Sequence, residues 1–259
     1  MQLTIEELQK YGSEMLRTVS EICEKNNIQW YMAYGSMLAA IRHQGPIPWD
    51  YDIDIYVPEK ELKRFLSVLR KELPDKYWID FRDGDCPRAF PRIGLNGYET
   101  EILHIDVYRL GGLPNKPFQF KCFVWYSRFL FVSWKAKTLD IDFYYKDTKR
   151  RCVSKTIRLL TAFLPVNWLL QQMDKQAGKI DFDKAEIVAS PITTMSRKQM
   201  IDRHVFDDSI LVKYENFDVR VPHDYEKYLE TVFGNWKQLP PIEEREAPFR
   251  KTYILKELN

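Results

Sequence analysis

Cysteine is scarce in this sequence, with four residues (Cys23, Cys86, Cys122 and Cys152) in a chain of 259. That is too few for a disulfide scaffold at this length, and no pair has the Cys-x-x-Cys spacing of a metal knuckle. Reduced thiols in a cytosolic protein are the expectation. No uncharged apolar run reaches the ~18 residues that a membrane span needs. The start, Met1-Gln2-Leu3-Thr4-Ile5-Glu6-Glu7, lacks the basic-then-apolar pattern of a secretion signal. A cytoplasmic protein is therefore expected. An excess of one charge is lacking too: Lys plus Arg number 39 and Asp plus Glu 37, a formal charge of +2. This excludes a protein basic all over, the usual signature of a general nucleic-acid binder. Repeats and low-complexity linkers are also absent.

What is present is unevenly placed. Residues 114–160 hold eleven basic and three acidic side chains, a local charge of +8 that leaves −6 for the rest. The same stretch carries Phe118, Phe120, Phe123, Trp125, Tyr126, Phe129, Phe131 and Trp134. Such a block reads as an interaction surface or a solvated face.

Along the chain, Thr4 and Glu7 form a capping-box pattern at the start of a helix over 4–27. A strand is expected at 28–33 and a short helix at 36–43. The strict alternation of Asp52-Ile53-Asp54-Ile55-Tyr56-Val57 predicts a strand over 52–57. A helix over 58–73 and strands at 77–81, 89–95 and 102–109 follow. Gly111-Gly112 and Pro114 mark a break, then helices are expected at 119–135 and 154–177. A hairpin turns at Glu215-Asn216 between 209–214 and 217–221, and a helix over 223–233 stops at Gly234. The mixed order points to an α+β fold. Three parts are expected: a core at 1–113, a helical basic-aromatic insertion at 114–200, and a hairpin, helix and tail at 201–259 packing on the core.

The chemistry lies between Tyr34 and Asp54. Gly35 permits close approach of backbone to a ligand, and Ser36 would open a helix whose free N–H groups favour a phosphate. On a strand, residues i and i+2 face the same way, so the Asp52 and Asp54 carboxylates converge. Two adjacent carboxylates repel unless a cation neutralises them, and Mg²⁺ (or Mn²⁺) is the natural partner of carboxylates and substrate phosphates. Asp106, in the apolar run Leu103-His104-Ile105-Asp106-Val107-Tyr108, joins them if its strand lies beside 52–57. Three acids around metal, facing a Gly-Ser turn, suit phosphoryl transfer.

The run from Tyr34-Gly35-Ser36 through Arg42-His43-Gln44-Gly45-Pro46-Ile47-Pro48-Trp49-Asp50-Tyr51-Asp52-Ile53-Asp54 closely resembles the signature of the LicD family. The likeness extends to Ile105-Asp106-Val107-Tyr108 and, near the end, to Val221-Pro222, Phe233-Gly234-Asn235-Trp236 and Leu239-Pro240-Pro241. It leaves 114–200 largely outside. It implies a nucleotidyltransferase-like mixed sheet flanked by helices. It also implies transfer of a phospho-alcohol, phosphocholine from CDP-choline foremost, to a hydroxyl of a cell-surface glycan such as lipopolysaccharide, capsule or teichoic acid, with release of CMP. By the same resemblance Asp52 and Asp54 bind metal, Asp106 completes the triad as ligand or base, and Asp50 supports it. Arg42 and His43 would face the diphosphate or orient the loop, and Trp49 belongs to the same substrate-facing motif.

The sequence departs from the pattern at Tyr51, where many members have Asp, but that position faces away from Asp52 and Asp54. It departs again at Arg245-Glu246-Ala247-Pro248, where many relatives place a histidine after the arginine. Arg88 and Arg92 flank a strand before Asp106, as phosphate holders or ion-pair partners. Two rival functions share the acids: transfer of a nucleotide from a triphosphate to a small molecule, and a binding module without catalysis. For the basic-aromatic segment the expectations are a packing helix or, over 118–158, peripheral contact with an anionic membrane near a lipid-linked acceptor.

Overall fold

The computed structural model describes residues 3–82, 88–97, 103–145 and 147–245, apart from the side chains of Phe143 and Tyr144. Cys86, the Glu246–Pro248 tail, Lys146 and the first residue of the expected 102–109 strand lie outside them. The fold is α+β, and the chain divides into two compact units. The first comprises residues 1–80, 91–108 and 204–259, and the second residues 81–90 and 109–203.

In the first unit, α1 spans Ile5–Lys25 behind an N-cap at Thr4, with both halves of the capping box formed with Glu7. Its buried stripe is Leu8, Met15, Leu16, Val19 and Cys23, at helical spacing. Strands β1 (Tyr31–Met32), β2 (Ile53–Pro58), β3 (Tyr77–Asp80), β4 (Arg92–Leu95) and β5 (His104–Gly112) form a sheet in the order β1-β2-β5-β4-β3. Asp106 thus lies on the strand next to β2, as the sequence reading required. Helix α2 (Tyr34–Leu38) runs into a wider π turn over Ala39–His43, and α3 spans Glu59–Glu72. From α3, Leu62, Phe65, Leu66 and Leu69 enter the core, each contributing roughly 1.5–3 kcal/mol by leaving water. Strands β8 (Ser209–Tyr214) and β9 (Phe217–Pro222) make the expected hairpin, with Glu215 left-handed at its turn (φ 53°). Helix α8 (Tyr225–Phe233) ends at Gly234, where φ is +72°.

The strand expected at 28–33 pairs only over Tyr31–Met32, opposite Tyr56 and Ile55. Trp30 is fully buried instead and donates to Glu24 at 3.0 Å. Helix α2 starts at Tyr34, two residues ahead of Ser36.

The second unit is mainly helical: α4 (Pro117–Thr138), α5 (Ile141–Tyr144), α6 (Thr148–Leu160) and α7 (Val166–Ala177), with short strands β6 (Ile187–Ala189) and β7 (Ile201–Asp202). Here the end of β5 pairs with β6, Gly111 opposite Ala189 and Gly112 opposite Val188. The two glycines do not break the strand. They let it approach other backbone, since a Cβ on Gly111 would sit 2.5 Å from the Ala177 carbonyl oxygen. The helix expected over 154–177 is two helices. Asp147 starts the first by accepting from the Lys149 N–H, and Pro165, in extended backbone (φ −63°, ψ 143°), is the N-cap of the second. On α4 the buried stripe is Phe123, Val124, Ser127, Leu130, Ser133 and Ala136. Most of its aromatic rings lie outside that stripe, and Phe118 and Trp125 are exposed.

Candidate active site

Apart from Arg88, which belongs to the second unit, the residues singled out above as a site fall in the first. Gly35 and Ser36 sit on α2, Arg42 and His43 on the π turn, Trp49, Asp50 and Asp52 on the loop into β2, and Asp54 on β2. Arg92 and Asp106 are register partners on β4 and β5. A π turn widens the backbone ring and is common where side chains must be re-aimed at a site.

Tyr34 holds a left-handed backbone (φ 42°), an arrangement that costs on the order of 1–3 kcal/mol for a non-glycine residue. Its surroundings hold it there. Its N–H donates to the Tyr228 hydroxyl at 2.9 Å, and its ring packs on Tyr56 and Tyr108 with centroids 5.2 and 5.1 Å away.

Ser36 is buried, and its hydroxyl is already engaged. It accepts from the Asp54 N–H at 2.8 Å and donates to the Asp52 carbonyl at 3.4 Å. Its part in this structure is to fix the backbone that carries both acids. Behind it Gly35 leaves room for Asp50, since a Cβ there would stand 3.3 Å from Asp50 Oδ2. The other Asp50 oxygen accepts from the Asp52 N–H at 3.2 Å. Gln9 on α1 secures the loop by donating to the carbonyls of Ile47 and Asp50, both at 2.8 Å. Tyr51 packs with the cluster of Leu3, Leu8 and Leu103, away from the acids.

The electrostatics show a crowd of negative charge. Burial, then the charges of Asp106, Asp52 and Asp50, hold the Asp54 carboxyl well above the usual carboxylate range, against the pull of Arg92. Burial and the Asp52 charge push Asp50 up to about 6. Asp106 behaves oppositely. Burial would raise it, but His104 and Arg92 outweigh burial and hold it below its ordinary value. Arg92 Nε reaches Asp106 Oδ1 at 2.7 Å and His104 Nε2 reaches the same oxygen at 3.2 Å.

Among the described residues, no three His, Cys, Asp or Glu side chains are arranged to close around a metal ion. The donor set nevertheless fits a hard cation. Four carboxylates repel one another, and Arg92 is the one cation set against them in the balance at Asp54. A divalent ion is the species that relieves such repulsion.

The loop that carries Asp50 and Asp52 also carries Trp49, around which basic groups gather. Arg42 Nη1 donates to the carbonyls of Trp236 at 2.9 Å and Gln238 at 3.4 Å, and its Nε donates to His43 Nε2 at 3.1 Å. Arg245 lies over the Trp49 ring, 5.6 Å from its centre, and donates to the Pro240 carbonyl at 2.8 Å. The His43 ring meets the Trp49 ring edge-on at 5.9 Å. Burial, then the like charge of Arg245, lowers the pKa of Arg42. Burial, then Arg42, lowers that of His43, which disfavours its charged form. Neither guanidinium has a carboxylate partner among the described residues, so the pair suits an anion. Sequence reasoning had left Arg245 in doubt and had not weighed Gln9 or His104. Nothing in the sequence signals that Arg245 returns to Trp49. His104, two residues before Asp106 on an alternating strand, was readable as its same-face neighbour.

Residues 27–110 match the family model described as "LicD/FKTN/FKRP, nucleotidyltransferase domain". They contain the Gly-Ser turn and all four acids. This stretch of the chain is therefore similar to the LicD-type nucleotidyltransferase domain. Over nearly its whole length, LicD-type similarity continues: the chain is 22% identical across 273 aligned positions to the lipopolysaccharide cholinephosphotransferase LicD of Haemophilus influenzae, covering 98% of this chain and 99% of that protein. Shorter matches of 56 residues, at 36% and 38% identity, are to uncharacterized proteins of Rickettsia typhi and Rickettsia prowazekii. Each covers 22% of this chain, and 18% and 21% of the respective relative.

Proposed function

We propose that this chain is a LicD-type phosphotransferase that moves phosphocholine from CDP-choline to a hydroxyl of a lipopolysaccharide-type glycan, presented on a lipid-linked acceptor, and releases CMP. The observation that carries this reading is the cluster of four carboxylates, where burial and the neighbouring charges hold Asp54 well above the usual carboxylate range. The loop that supplies two of them also carries Trp49, under the Arg245 guanidinium, and neither Arg245 nor Arg42 has a carboxylate partner among the described residues. The full-length likeness to a named cholinephosphotransferase supports the choice of alcohol and acceptor.

Asp52 and Asp54 would hold Mg²⁺ or Mn²⁺, with Asp106 completing the set. When bound, the ion supplies positive charge to the phosphoryl group under transfer. Arg42 and Arg245 bind the diphosphate oxygens, and Trp49 backs them. The acceptor oxygen forms a bond to the phosphorus that bears choline, the bond from that phosphorus to the CMP oxygen breaks, CMP leaves with the electron pair, and the acceptor's hydroxyl proton passes to the departing CMP phosphate. Asp106, kept ionised by Arg92 and His104, is better suited to be a ligand than to take the hydroxyl proton. Ser36 and Gln9 act on the backbone, holding the acids in place.

The test is CMP release from a panel of CDP-alcohols with Mg²⁺ or Mn²⁺ and a glycan acceptor. Asp52→Asn should abolish release while leaving the fold intact, and an Asp52→Asn protein with full activity would overturn the reading. Pyrophosphate appearing from a nucleoside triphosphate would favour nucleotidyl transfer instead.

A further inference from the structure

In the second unit, α6 is an amphipathic helix that lies at the surface, with Arg151, Ser154 and Ile157 half-buried and the rest of it exposed. Several of its basic side chains reach back to neighbouring chain. Arg158 donates to the carbonyls of Ala136 and Leu139 at 2.5 and 2.6 Å, and Lys155 pairs with Asp142 at 2.8 Å. Arg151 reaches the same Asp142 at 4.0 Å. Lys137 ties down the end of the helix through the Thr161 carbonyl at 2.9 Å. No residue of α6 is buried, and several of its large apolar side chains are open to solvent. Val153 is 58% exposed, Leu159 76%, Leu160 67% and, just past the helix, Phe163 79%. Three of these large apolar side chains fall within five residues of one another. Isolated exposed apolar residues are ordinary, but a contiguous set at a helix end marks a surface that is covered in use.

The charge identifies the cover. Residues 148–164 contain no acid and include Lys149, Arg150, Arg151, Lys155 and Arg158. Lys149 and Arg150 have no carboxylate partner among the described residues. A second copy of the chain meeting this face about a two-fold axis would set like charges against each other. An anionic lipid surface complements them, with the basic groups at the headgroups and the apolar tip below them. No helix among the described residues is long and apolar enough to cross a membrane, so the contact is one of lying on the surface. We propose that α6 and the turn through Phe163 dock this protein on an anionic bilayer, with Leu159, Leu160 and Phe163 as the inserted edge. The inference stands apart from the transfer reaction. It also carries the docking edge beyond the 118–158 segment to which the sequence pointed.

Flotation of the full chain at low salt tests it, with vesicles of phosphatidylcholine alone and of phosphatidylcholine mixed with phosphatidylglycerol. The chain should float with the mixed vesicles and stay behind with the neutral ones. Leu159→Ser, Leu160→Ser and Phe163→Ser combined should lower partition by tenfold or more, on the order expected for removing that apolar burial, at an unchanged melting temperature. Lys149→Glu with Arg150→Glu should lower it by about tenfold through charge. A Phe163→Trp protein should show blue-shifted emission on mixing with anionic vesicles. The idea is overturned by absence of flotation, by equal flotation of the triple variant, by unchanged emission from Trp at 163, or by a dimer in light scattering that the triple variant dissociates.

Discussion

Ser36→Ala separates two roles for one hydroxyl. If Ser36 served chiefly as a phosphate contact, its loss would weaken donor binding and leave stability alone. The structure gives the hydroxyl a different task, accepting from the Asp54 N–H at 2.8 Å and donating to the Asp52 carbonyl at 3.4 Å. Truncation leaves the Asp54 N–H without its partner, which costs about 1–3 kcal/mol for a part-buried donor. The longer bond adds roughly 0.5 kcal/mol. The expected loss is therefore about 1.5–3.5 kcal/mol, or on the order of 3–14 °C in melting temperature for a chain of this size. Urea unfolding followed by both fluorescence and circular dichroism measures it, and the two probes check whether the two units melt together. Turnover should fall as well, because both acids lose the bond that fixes their backbone. A change below about 0.5 kcal/mol combined with a raised KM for the donor would refute the clamp and restore the phosphate contact.

Asp54→Asn should abolish transfer yet stabilise the chain by about 1–3 kcal/mol, because it removes one charge from a self-repelling cluster; a lower melting temperature for the variant contradicts the electrostatic reading. Mg²⁺ should raise the melting temperature of the wild type and leave that of Asp52→Asn nearly unmoved, as expected for an ion bound only by the native state. Arg245→Ala should raise KM for a CDP-alcohol about tenfold, the scale of one charge-assisted contact, and unchanged kinetics would remove Arg245 from the donor site. Glu24 supplies a pH test. Burial alone would raise its pKa, but hydrogen bonds from Arg220 and Trp30 and the Arg220 charge lower it. Its stabilisation is present above the unfolded glutamate value of about 4.3 and is lost as pH falls through the lower folded value. Arg220→Met should flatten that acid limb in denaturant melts, and an identical limb would argue against the pair.

What the sequence made legible was local. The capping box at Thr4, the alternation of 52–57 and the hairpin at Glu215-Asn216 each depend on neighbours a few residues apart, and each appears close to where it was expected. The pairing of Asp106 with the β2 acids was reachable because both strands announce themselves. Ser36's engagement was hidden, since a hydroxyl that opens a helix and one that fastens a strand look the same in sequence. Arg245 was hidden for another reason, that its approach to Trp49 is made by chain returning from almost 200 residues away. The exposure of the apolar side chains of α6 was invisible because periodicity reveals that a helix has two faces, not what each one meets.

The first unit is assembled from three separated stretches of chain, and the last holds β8, β9 and α8. Synthesis therefore makes Tyr31, Tyr34 and Tyr56 long before Phe206 and Tyr228, which pack against them. Between the two comes all of 109–203, roughly 5–20 s of translation at ordinary bacterial rates. During that interval the sheet of β1 to β5 must wait with its aromatic wall uncovered by the hairpin and α8, while the segment that follows it is free to fold ahead. Ribosome-bound chains halted at residue 203 should accordingly be cut readily within 28–58 and resist cutting within α4 and α7. The unit that carries the candidate site is begun before the helical unit and completed after it.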